Sequence, residues 1–309
     1  MNKSLAWAFN RKPVKTPMVA VTGGKGGTGK TSIAVNLAAF LSKNGYHVLL
    51  VDADVDSPTT GIVLGVQPTP IYEVKMFSPK IIEDKCDKCG RCVEACRAHA
   101  LFQIAGKCPM LFEELCSGCE ACLLACPQNA IVNAEKIIGY VHHAQDGNLT
   151  LIEGELKPNE TRSAHVVTAT KDFAFKQASQ EKYDIMIVDT SPGTHCNVVQ
   201  GLRGADLALA VTEPTPLGVY DLILIMELTS KLGIQTQIIV NKADMPGENR
   251  EKILEIANRY GCKIISEVPF DRTLFQSYVA GTPIVIAYPN SSVTMSIMRI
   301  ADYVHDHVR

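Results

Sequence analysis

The sequence lacks any apolar run of about 18 residues, the length that a membrane-spanning helix needs. No apolar stretch before Met18 is long enough for a signal peptide. Excess charge is also missing, because the formal net charge is −2 and no local basic patch offers a surface for nucleic acid or an anionic membrane. We therefore expect a cytoplasmic protein with no nucleic-acid partner and no stable membrane insertion.

The chain has 309 residues, 46% of them apolar, which is enough for one large domain or for two modest domains with their own cores. Its eleven cysteines are distributed unevenly, since nine of them lie between Cys86 and Cys126. Disulfides are rare in cytosolic proteins, so this crowding indicates metal binding.

Apolar periodicity predicts the outline of the fold. Residues 19–22 have the pattern of a buried strand, a glycine-rich loop follows, and residues 31–43 have helical spacing. Further strands, separated by helices in the later part of the chain, are predicted at 47–51, 183–189, 207–212, 236–241 and 263–268. This alternation is typical of an α/β fold with a doubly wound, mostly parallel sheet.

The middle of the chain differs in composition from its two ends. It is rich in cysteine and shows little strand periodicity until a predicted hairpin around Asp146-Gly147. We expect a parent domain interrupted by an inserted α+β domain, with segment boundaries at 1–78, 79–136 and 137–309.

A phosphate-binding loop is the first chemical motif. The segment from Gly24 to Thr31 matches G-x-x-x-x-G-K-[ST] and lies between a predicted strand and helix. Backbone N–H groups of such a loop attract phosphates, Lys30 reaches the β and γ phosphates, and the Thr31 hydroxyl can ligate Mg²⁺. The predicted nucleotide-binding residues of the loop are Gly24, Lys25, Gly26, Gly27, Thr28, Gly29, Lys30 and Thr31.

The run Lys25-Gly-Gly-Thr-Gly-Lys30-Thr31 resembles the deviant Walker A family, which includes MinD, ParA and the nitrogenase iron protein. The resemblance covers the chain outside the cysteine-rich segment. It implies that two subunits close face to face on ATP, as a homodimer, and that Lys25 reaches across to the phosphates of the partner. Without the resemblance, Lys25 would also fit a solvated loop lysine.

Three aspartates end predicted strands at the carboxyl edge, where an open α/β sheet binds its ligand. The resemblance implies that Asp54 positions the attacking water and therefore acts in catalysis with Lys25 and Lys30. It further implies that Asp52 holds Mg²⁺ through water and that Asp189 is the Walker B aspartate, so that Thr31, Asp52 and Asp189 form the magnesium site. Any one of these aspartates could instead cap a turn.

The segment Asn241-Lys242-Ala243-Asp244 follows a predicted strand and leaves the identity of the base open. It resembles the guanine-reading motif of GTPases, whereas in the deviant Walker A family the matching asparagine serves adenine. We favour ATP with Asn241 as a binding residue, and we keep GTP as an alternative in which Asp244 reads the base.

Two cysteine runs repeat with the same spacing thirty residues apart, as C-x-x-C-x-x-C-x-x-x-C. This is the bacterial ferredoxin pattern of two 4Fe-4S clusters, in which the fourth cysteine of each run ligates the other cluster. The pattern assigns one cluster to Cys86, Cys89, Cys92 and Cys126, and the other to Cys116, Cys119, Cys122 and Cys96. The alternative is a pair of zinc sites, although zinc ribbons use pairs of cysteines and not runs of three.

The sequence therefore predicts a MinD/ParA-type ATPase with an inserted two-cluster ferredoxin domain, which uses ATP, Mg²⁺ and two 4Fe-4S clusters. Three functions are compatible with it. Nucleotide-dependent dimer closure could gate electron transfer to a redox partner; the protein could carry clusters or metal to an apo-protein; or it could be a positioning ATPase like MinD. The eight paired cysteines favour the first function over the second, because committed thiolates make a stable electron-transfer unit.

Overall fold

A computed structural model describes residues 12–247 and 249–308, and its chain divides into two compact units. The first unit comprises the described residues of Met1–Tyr72, Tyr140–Leu156 and Arg162–Arg309. The second unit comprises Glu73–Gly139 and Lys157–Thr161, and it includes every cysteine of the two runs.

The strands are, in chain order, β1 (Met18–Thr22), β2 (Val48–Ala53), β3 (Thr69–Met76), β4 (Pro79–Ile81), β5 (Leu101–Phe102), β6 (Met110–Leu111), β7 (Ile131–Asn133), β8 (Lys136–Asp146), β9 (Leu149–Leu156), β10 (Ile185–Thr190), β11 (Leu207–Thr212), β12 (Gln235–Asn241) and β13 (Ile264–Val268). The helices of the first unit are α1 (Lys30–Lys43), α2 (Thr60–Leu64), α5 (Ser163–Gln180), α6 (Cys196–Leu202), α7 (Pro216–Leu232), α8 (Asn249–Tyr260), α9 (Arg272–Val279), α10 (Ile284–Ala287) and α11 (Ser292–His307). The helices of the second unit are α3 (Arg91–Ala95) and α4 (Ala121–Ala125).

Nine strands form one sheet in the order β13-β12-β11-β1-β10-β2-β9-β8-β3. The seven strands from β13 to β9 in this order pair in parallel. Every residue of the central strands β1, β2, β10 and β11 is buried. These strands are nearly continuous apolar runs, as expected for a parallel sheet that is covered on both faces.

Neighbouring strand residues face opposite sides of the sheet, and each side has its own helices. Leu209 and Ile239 belong to a core that includes residues of α1 and α11. Ala210 and Ile238, one residue away on the same strands, pack with residues of α7 and α8. Because helices cover both faces, the fold is α/β with a doubly wound, mostly parallel sheet, which confirms the predicted fold class.

The second unit shows the thirty-residue repeat as an internal two-fold arrangement. Strand β4, before the first cysteine run, pairs antiparallel with β7, after the second run. Strand β5, after the first run, pairs in the same way with β6, before the second run. Ile82 N–H donates to Ala130 O at 2.7 Å and Phe112 N–H donates to Ala100 O at 2.8 Å, which are equivalent bonds in the two repeats. Each run is therefore closed by a strand that comes from the other repeat.

Candidate nucleotide site and cysteine quartets

The glycines of the phosphate-binding loop, between β1 and α1, have two different tasks. A Cβ added at Gly26 or Gly27 would meet no atom of residues 12–247 and 249–308 within 4 Å, so this part of the loop borders open space. Gly29 has a φ of +95°, and a Cβ there would lie 2.2 Å from Asn241 Nδ2. The loop therefore leaves room for phosphates on one side and packs closely against the end of β12 on the other, which fits a bound nucleotide.

Lys30 is buried at the start of α1, and its ammonium donates to the backbone oxygen of Lys25 at 3.0 Å. Burial lowers the pKa of Lys30, while the charges of Asp189 and Asp54 oppose that shift. The ammonium itself can form charge-assisted hydrogen bonds with the anionic oxygens of a phosphate group.

Asp52 and Asp189 lie side by side at the carboxyl ends of β2 and β10, and both are fully buried. Burial, with a further contribution from Asp52, raises the pKa of Asp189 well above its usual range. The Thr31 hydroxyl donates to Asp189 Oδ2 at 2.5 Å, whereas the buried Asp189 Oδ1 has no hydrogen-bond partner among the described residues. A hydroxyl beside a carboxylate with a spare oxygen is the donor set that Mg²⁺ prefers, so Thr31 and Asp189 fit the predicted magnesium site.

Asp52 holds the loop that follows its own strand. Its carboxylate accepts hydrogen bonds from the backbone N–H groups of Asp54, Thr59 and Thr60 and from the Thr60 hydroxyl, at 2.9 to 3.1 Å. Burial, with a further contribution from the charge of Glu153, raises the pKa of Asp52 to about 7. Asp52 thus fixes the segment that carries Asp54 and lies next to Asp189, where it could reach a hydrated Mg²⁺.

Glu153 was not predicted from the sequence as a site residue, but it lies on β9 in register with Asp52. Its Oε2 atom accepts from the Thr60 hydroxyl and from the Gly61 N–H, both at 3.2 Å. The first turn of α2 is therefore held by two carboxylates from neighbouring strands.

Asp54, the predicted water-positioning residue, is partly buried beside Lys30. Burial raises the pKa of Asp54, and a hydrogen bond with Ser191 and the charge of Lys30 act against that rise. The structure thus brings Asp54, Lys30 and Asp189 together, on the same side of the sheet edge as the phosphate-binding loop.

Lys25, the lysine predicted to reach a partner subunit, forms an ion pair with a glutamate of its own chain. Its Nζ atom is 3.1 Å from Glu213 Oε1, and Lys242 Nζ is 3.0 Å from Glu213 Oε2. Burial acts to raise the pKa of Glu213, but the hydrogen bonds from Lys242 and Lys25 outweigh it, so this pKa is lowered. Glu213 was not predicted from the sequence as a site residue, although it directly follows β11 just as Asp54 follows β2.

A cavity of about 530 Å³ lies beside the phosphate-binding loop and is lined by Gly27, Gly29, Asn241, Lys242, Phe270 and Tyr278, among others. This volume is in the range of small-molecule sites. Asn241 borders the cavity, and its Nδ2 atom donates to Thr28 O at 2.7 Å. Asp244 Oδ1 accepts from the Phe270 N–H at 2.7 Å. Asp244 thus fastens the loop after β13, a use that differs from guanine recognition.

Two cysteines of the second unit are buried, Cys92 in the first run and Cys122 in the second. Burial raises the pKa of Cys92, and its thiol neighbours include Cys126 and Cys86. Burial likewise raises the pKa of Cys122 to about 11, and its thiol neighbours include Cys116 and Cys96. Each buried cysteine therefore lies near the fourth cysteine of the other run.

Backbone groups and apolar side chains complete the surroundings of these thiols. The Ala100 N–H donates to Cys96 Sγ and the Ala130 N–H donates to Cys126 Sγ, both at 3.3 Å. Four of the eight cysteines, Cys92, Cys96, Cys122 and Cys126, pack in an apolar cluster whose buried members include Phe77, Leu101 and Ile131, whereas Cys89 and Cys119 are exposed. Amide donors to sulfur and an apolar surrounding are the features by which proteins tune 4Fe-4S clusters, so the two quartets fit such groups.

In the part of the chain that the structure describes, no group of three or more His, Cys, Asp or Glu side chains is arranged so that it could hold a metal ion.

Cys108 is partly buried, and its thiol hydrogen bonds with Cys86. Cys196, seven residues after Asp189, is exposed at the start of α6. Over residues 12–247 and 249–308, no helix has both the length and the apolar character to cross a bilayer.

Known proteins resemble the chain over almost its whole length. An uncharacterized protein of Methanocaldococcus jannaschii is 36% identical over 265 residues, which cover 85% of this chain and 90% of that protein. The iron-sulfur cluster carrier protein of Aquifex aeolicus is 25% identical over 307 residues, which cover 95% of this chain and 69% of that protein.

The septum site-determining protein MinD of Pyrococcus horikoshii, solved with Mg-ADP, shares the fold with a TM-score of 0.59 at 18% identity. The match covers 94% of this chain and 96% of that one. Residues 19–284 also match the family described as the CobQ/CobB/MinD/ParA nucleotide binding domain. The chain therefore belongs to this family and is a P-loop ATPase of the MinD/ParA type.

Proposed function

We propose that the protein is a cytoplasmic, homodimeric ATPase in which Mg²⁺ and ATP control electron exchange through two resident 4Fe-4S clusters. The observation that carries this proposal is the crossed arrangement of the cysteines, in which Cys92 neighbours Cys126 and Cys122 neighbours Cys96. The eight cysteines form two quartets, and each quartet takes its fourth cysteine from the other repeat. Such an arrangement suits 4Fe-4S clusters that remain bound to the protein.

The nucleotide side of the proposal uses the residues at the sheet edge. Thr31 and Asp189 would hold Mg²⁺, with Asp52 next to them, and Lys30 would bind the phosphates of ATP. Asp54 would orient the attacking water. Lys25 would reach the nucleotide of the partner subunit, where it would neutralise negative charge as an arginine finger does in other ATPases.

On the cluster side, each quartet would hold one 4Fe-4S group, which accepts or releases a single electron. The chain contributes the thiolates, the N–H donors at Cys96 and Cys126, and the apolar cover provided by Phe77, Leu101 and Ile131. We propose that the inserted domain spans 79–136 and that its redox partner is admitted in only one nucleotide state. Closing the dimer on ATP is the event that would select that state.

A second function is favoured by the names of relatives. Iron-sulfur cluster carrier proteins of Aquifex aeolicus and Pyrococcus abyssi match more than 90% of this chain at 25% and 26% identity. In this alternative the cluster is cargo that the protein delivers to an apo-protein, and ATP hydrolysis drives its loading or release.

Cluster retention separates the two functions. The protein purified without oxygen would be mixed with an apo-ferredoxin, with and without Mg-ATP, and the iron and sulfide of each protein would then be counted after separation. We expect about eight irons per chain to remain in the ATPase for hours, since two 4Fe-4S clusters contain that number. Transfer of four or more irons to the apo-ferredoxin, accelerated by ATP, would instead establish the carrier function.

A further inference from the structure

One buried carboxylate near the phosphate-binding loop holds two lysines at once. Glu213 is 5% exposed and follows β11 directly. Its Oε1 atom accepts from Lys25 Nζ at 3.1 Å and its Oε2 atom accepts from Lys242 Nζ at 3.0 Å. The two lysines come from different segments, since Lys25 lies in the loop after β1 and Lys242 directly follows β12.

The position of Glu213 is fixed independently of the lysines. The Thr215 N–H donates to Glu213 O at 2.8 Å, and the Thr215 hydroxyl lies 3.4 Å from Glu213 Oε1. Thr215 is also the N-cap of α7, where its hydroxyl accepts from the Gly218 N–H. A Cβ added at Gly218 would lie 2.2 Å from Glu213 O, so the backbone is closely packed at this point. The place of the carboxylate therefore does not depend on its ion pairs with the two lysines.

The two lysines differ in how firmly they are tied to the loop. Lys242 Nζ also donates to Gly27 O at 3.1 Å, so it has a second partner in the phosphate-binding loop. The Lys25 side chain is 37% exposed, and beyond Glu213 its charge reaches Asp221 on α7. Lys25 can therefore leave Glu213 more easily than Lys242 can.

We propose that Glu213 is a positioning residue that holds Lys25 within its own subunit until ATP binds, and that Lys242 stays on the carboxylate when Lys25 leaves. A buried carboxylate that loses its only partner is strongly destabilised. Because Lys242 remains, the release of Lys25 costs one ion pair and leaves no orphaned charge. The inference rests on the proposed role of Lys25 in an ATP-driven dimer.

Opposite responses of two variants test the arrangement. Glu213→Gln removes the charge that holds Lys25, whereas Lys242→Gln leaves Lys25 as the only ammonium on Glu213 and strengthens the hold. The first readout is the acetylation rate of Lys25 by a limiting acetylating reagent, followed by mass spectrometry on the nucleotide-free protein. We expect the rate to rise about threefold in Glu213→Gln and to fall in Lys242→Gln, since an ammonium held in an ion pair is less accessible to the reagent. Glu227→Gln, which removes an exposed carboxylate near Lys231 on α7, serves as the matched control.

The second readout is the ATP concentration at which half of the protein is dimeric, measured by sedimentation velocity. For each variant this concentration is divided by the Kd for ADP, so that a change in nucleotide affinity alone does not count as a change in dimerisation. We expect this concentration to fall about threefold to tenfold in Glu213→Gln and to rise in Lys242→Gln. Unchanged Lys25 labelling in Glu213→Gln, or changes of the same sign in both variants, would overturn the inference. If labelling responds as expected but the wild type stays monomeric in ATP, the holding of Lys25 stands and the proposed dimer falls.

Discussion

Asp52 on β2 and Asp189 on β10 lie side by side in register on neighbouring parallel strands, and both carboxylates are fully buried. Burial is the main reason why the pKa of Asp52 rises to about 7 and the pKa of Asp189 rises well above its usual range; the charge of Glu153 adds to the shift of Asp52, and the charge of Asp52 adds to that of Asp189. A divalent cation bound at this sheet edge would reduce the cost of keeping the two carboxylates ionised and buried. We infer that the fold tolerates this repulsion because the two carboxylates serve the proposed magnesium site.

Asp189→Asn is expected to stabilise the nucleotide-free protein at alkaline pH. An acid with a raised folded-state pKa favours folding when it is protonated, so its contribution is complete below about pH 4 and is lost as the pH rises. The variant removes that loss, and we expect its Tm to exceed that of the wild type by about 2–4 °C at pH 8 and by less at pH 5.5. Differential scanning calorimetry measures both values.

The same variant should lose the response to Mg-ATP, because the carboxylate that would hold the cation is gone. Asp302→Asn on α11 is the control, since Asp302 is exposed, and it should change neither Tm nor the nucleotide response. If Asp189→Asn is instead less stable than the wild type at pH 8, Asp189 is not under charge repulsion.

Crossed cluster ligation can be tested with single cysteine variants. The neighbours of Cys92 predict that Cys126→Ser damages the same cluster as Cys86→Ser, although Cys126 belongs to the second run. We expect the EPR spectrum of reduced Cys126→Ser to match that of Cys86→Ser and to differ from that of Cys116→Ser. Each variant should retain about four irons per chain. If Cys126→Ser instead resembles Cys116→Ser, each run ligates its own cluster.

Cys108→Ser is the matched control for these variants, because Cys108 lies in the same unit but outside both quartets. It should keep about eight irons per chain and both EPR signals. Loss of iron in this variant would add Cys108 to the ligands.

The nucleotide preference follows from the bond between Asp244 and the Phe270 N–H. Since this carboxylate oxygen is engaged by the backbone, we expect Asp244→Ala to leave the preference for ATP over GTP unchanged. The variant should lower the free energy of unfolding by at most about 1 kcal/mol, because one exposed hydrogen bond between a side chain and the backbone is lost. Competition of ATP and GTP against a fluorescent ATP analogue measures the preference. A shift toward or away from GTP in Asp244→Ala would show that Asp244 contacts the base.

Sequence patterns were sufficient for the features that depend on local order. Buried parallel strands are continuous apolar runs, so β1, β10 and β11 could be located from the sequence pattern, and the side chains after them had to gather at one sheet edge. Thr31 was predicted from the phosphate-loop motif, and the roles of Asp52 and Asp189 were predicted from their place at strand ends together with the family resemblance.

Features that depend on which strands are neighbours were missed. Glu153 contacts Thr60, which lies 93 residues earlier in the chain, because β9 pairs with β2. Glu213 binds Lys25 and Lys242 because β11 lies between β1 and β12 in the sheet. A single glutamate after a strand has no distinctive local pattern, so only the strand order reveals its partners.

The most direct test of the proposed coupling is EPR of the dithionite-reduced protein at a poised potential, recorded with no nucleotide, with Mg-ADP and with Mg-ATP. If nucleotide-dependent closure controls the clusters, Mg-ATP should change the line shape or the apparent midpoint potential of at least one cluster, and Lys25→Ala should abolish that change. Spectra and potentials that are identical in all three nucleotide states, in a protein that binds and hydrolyses ATP, would contradict the account.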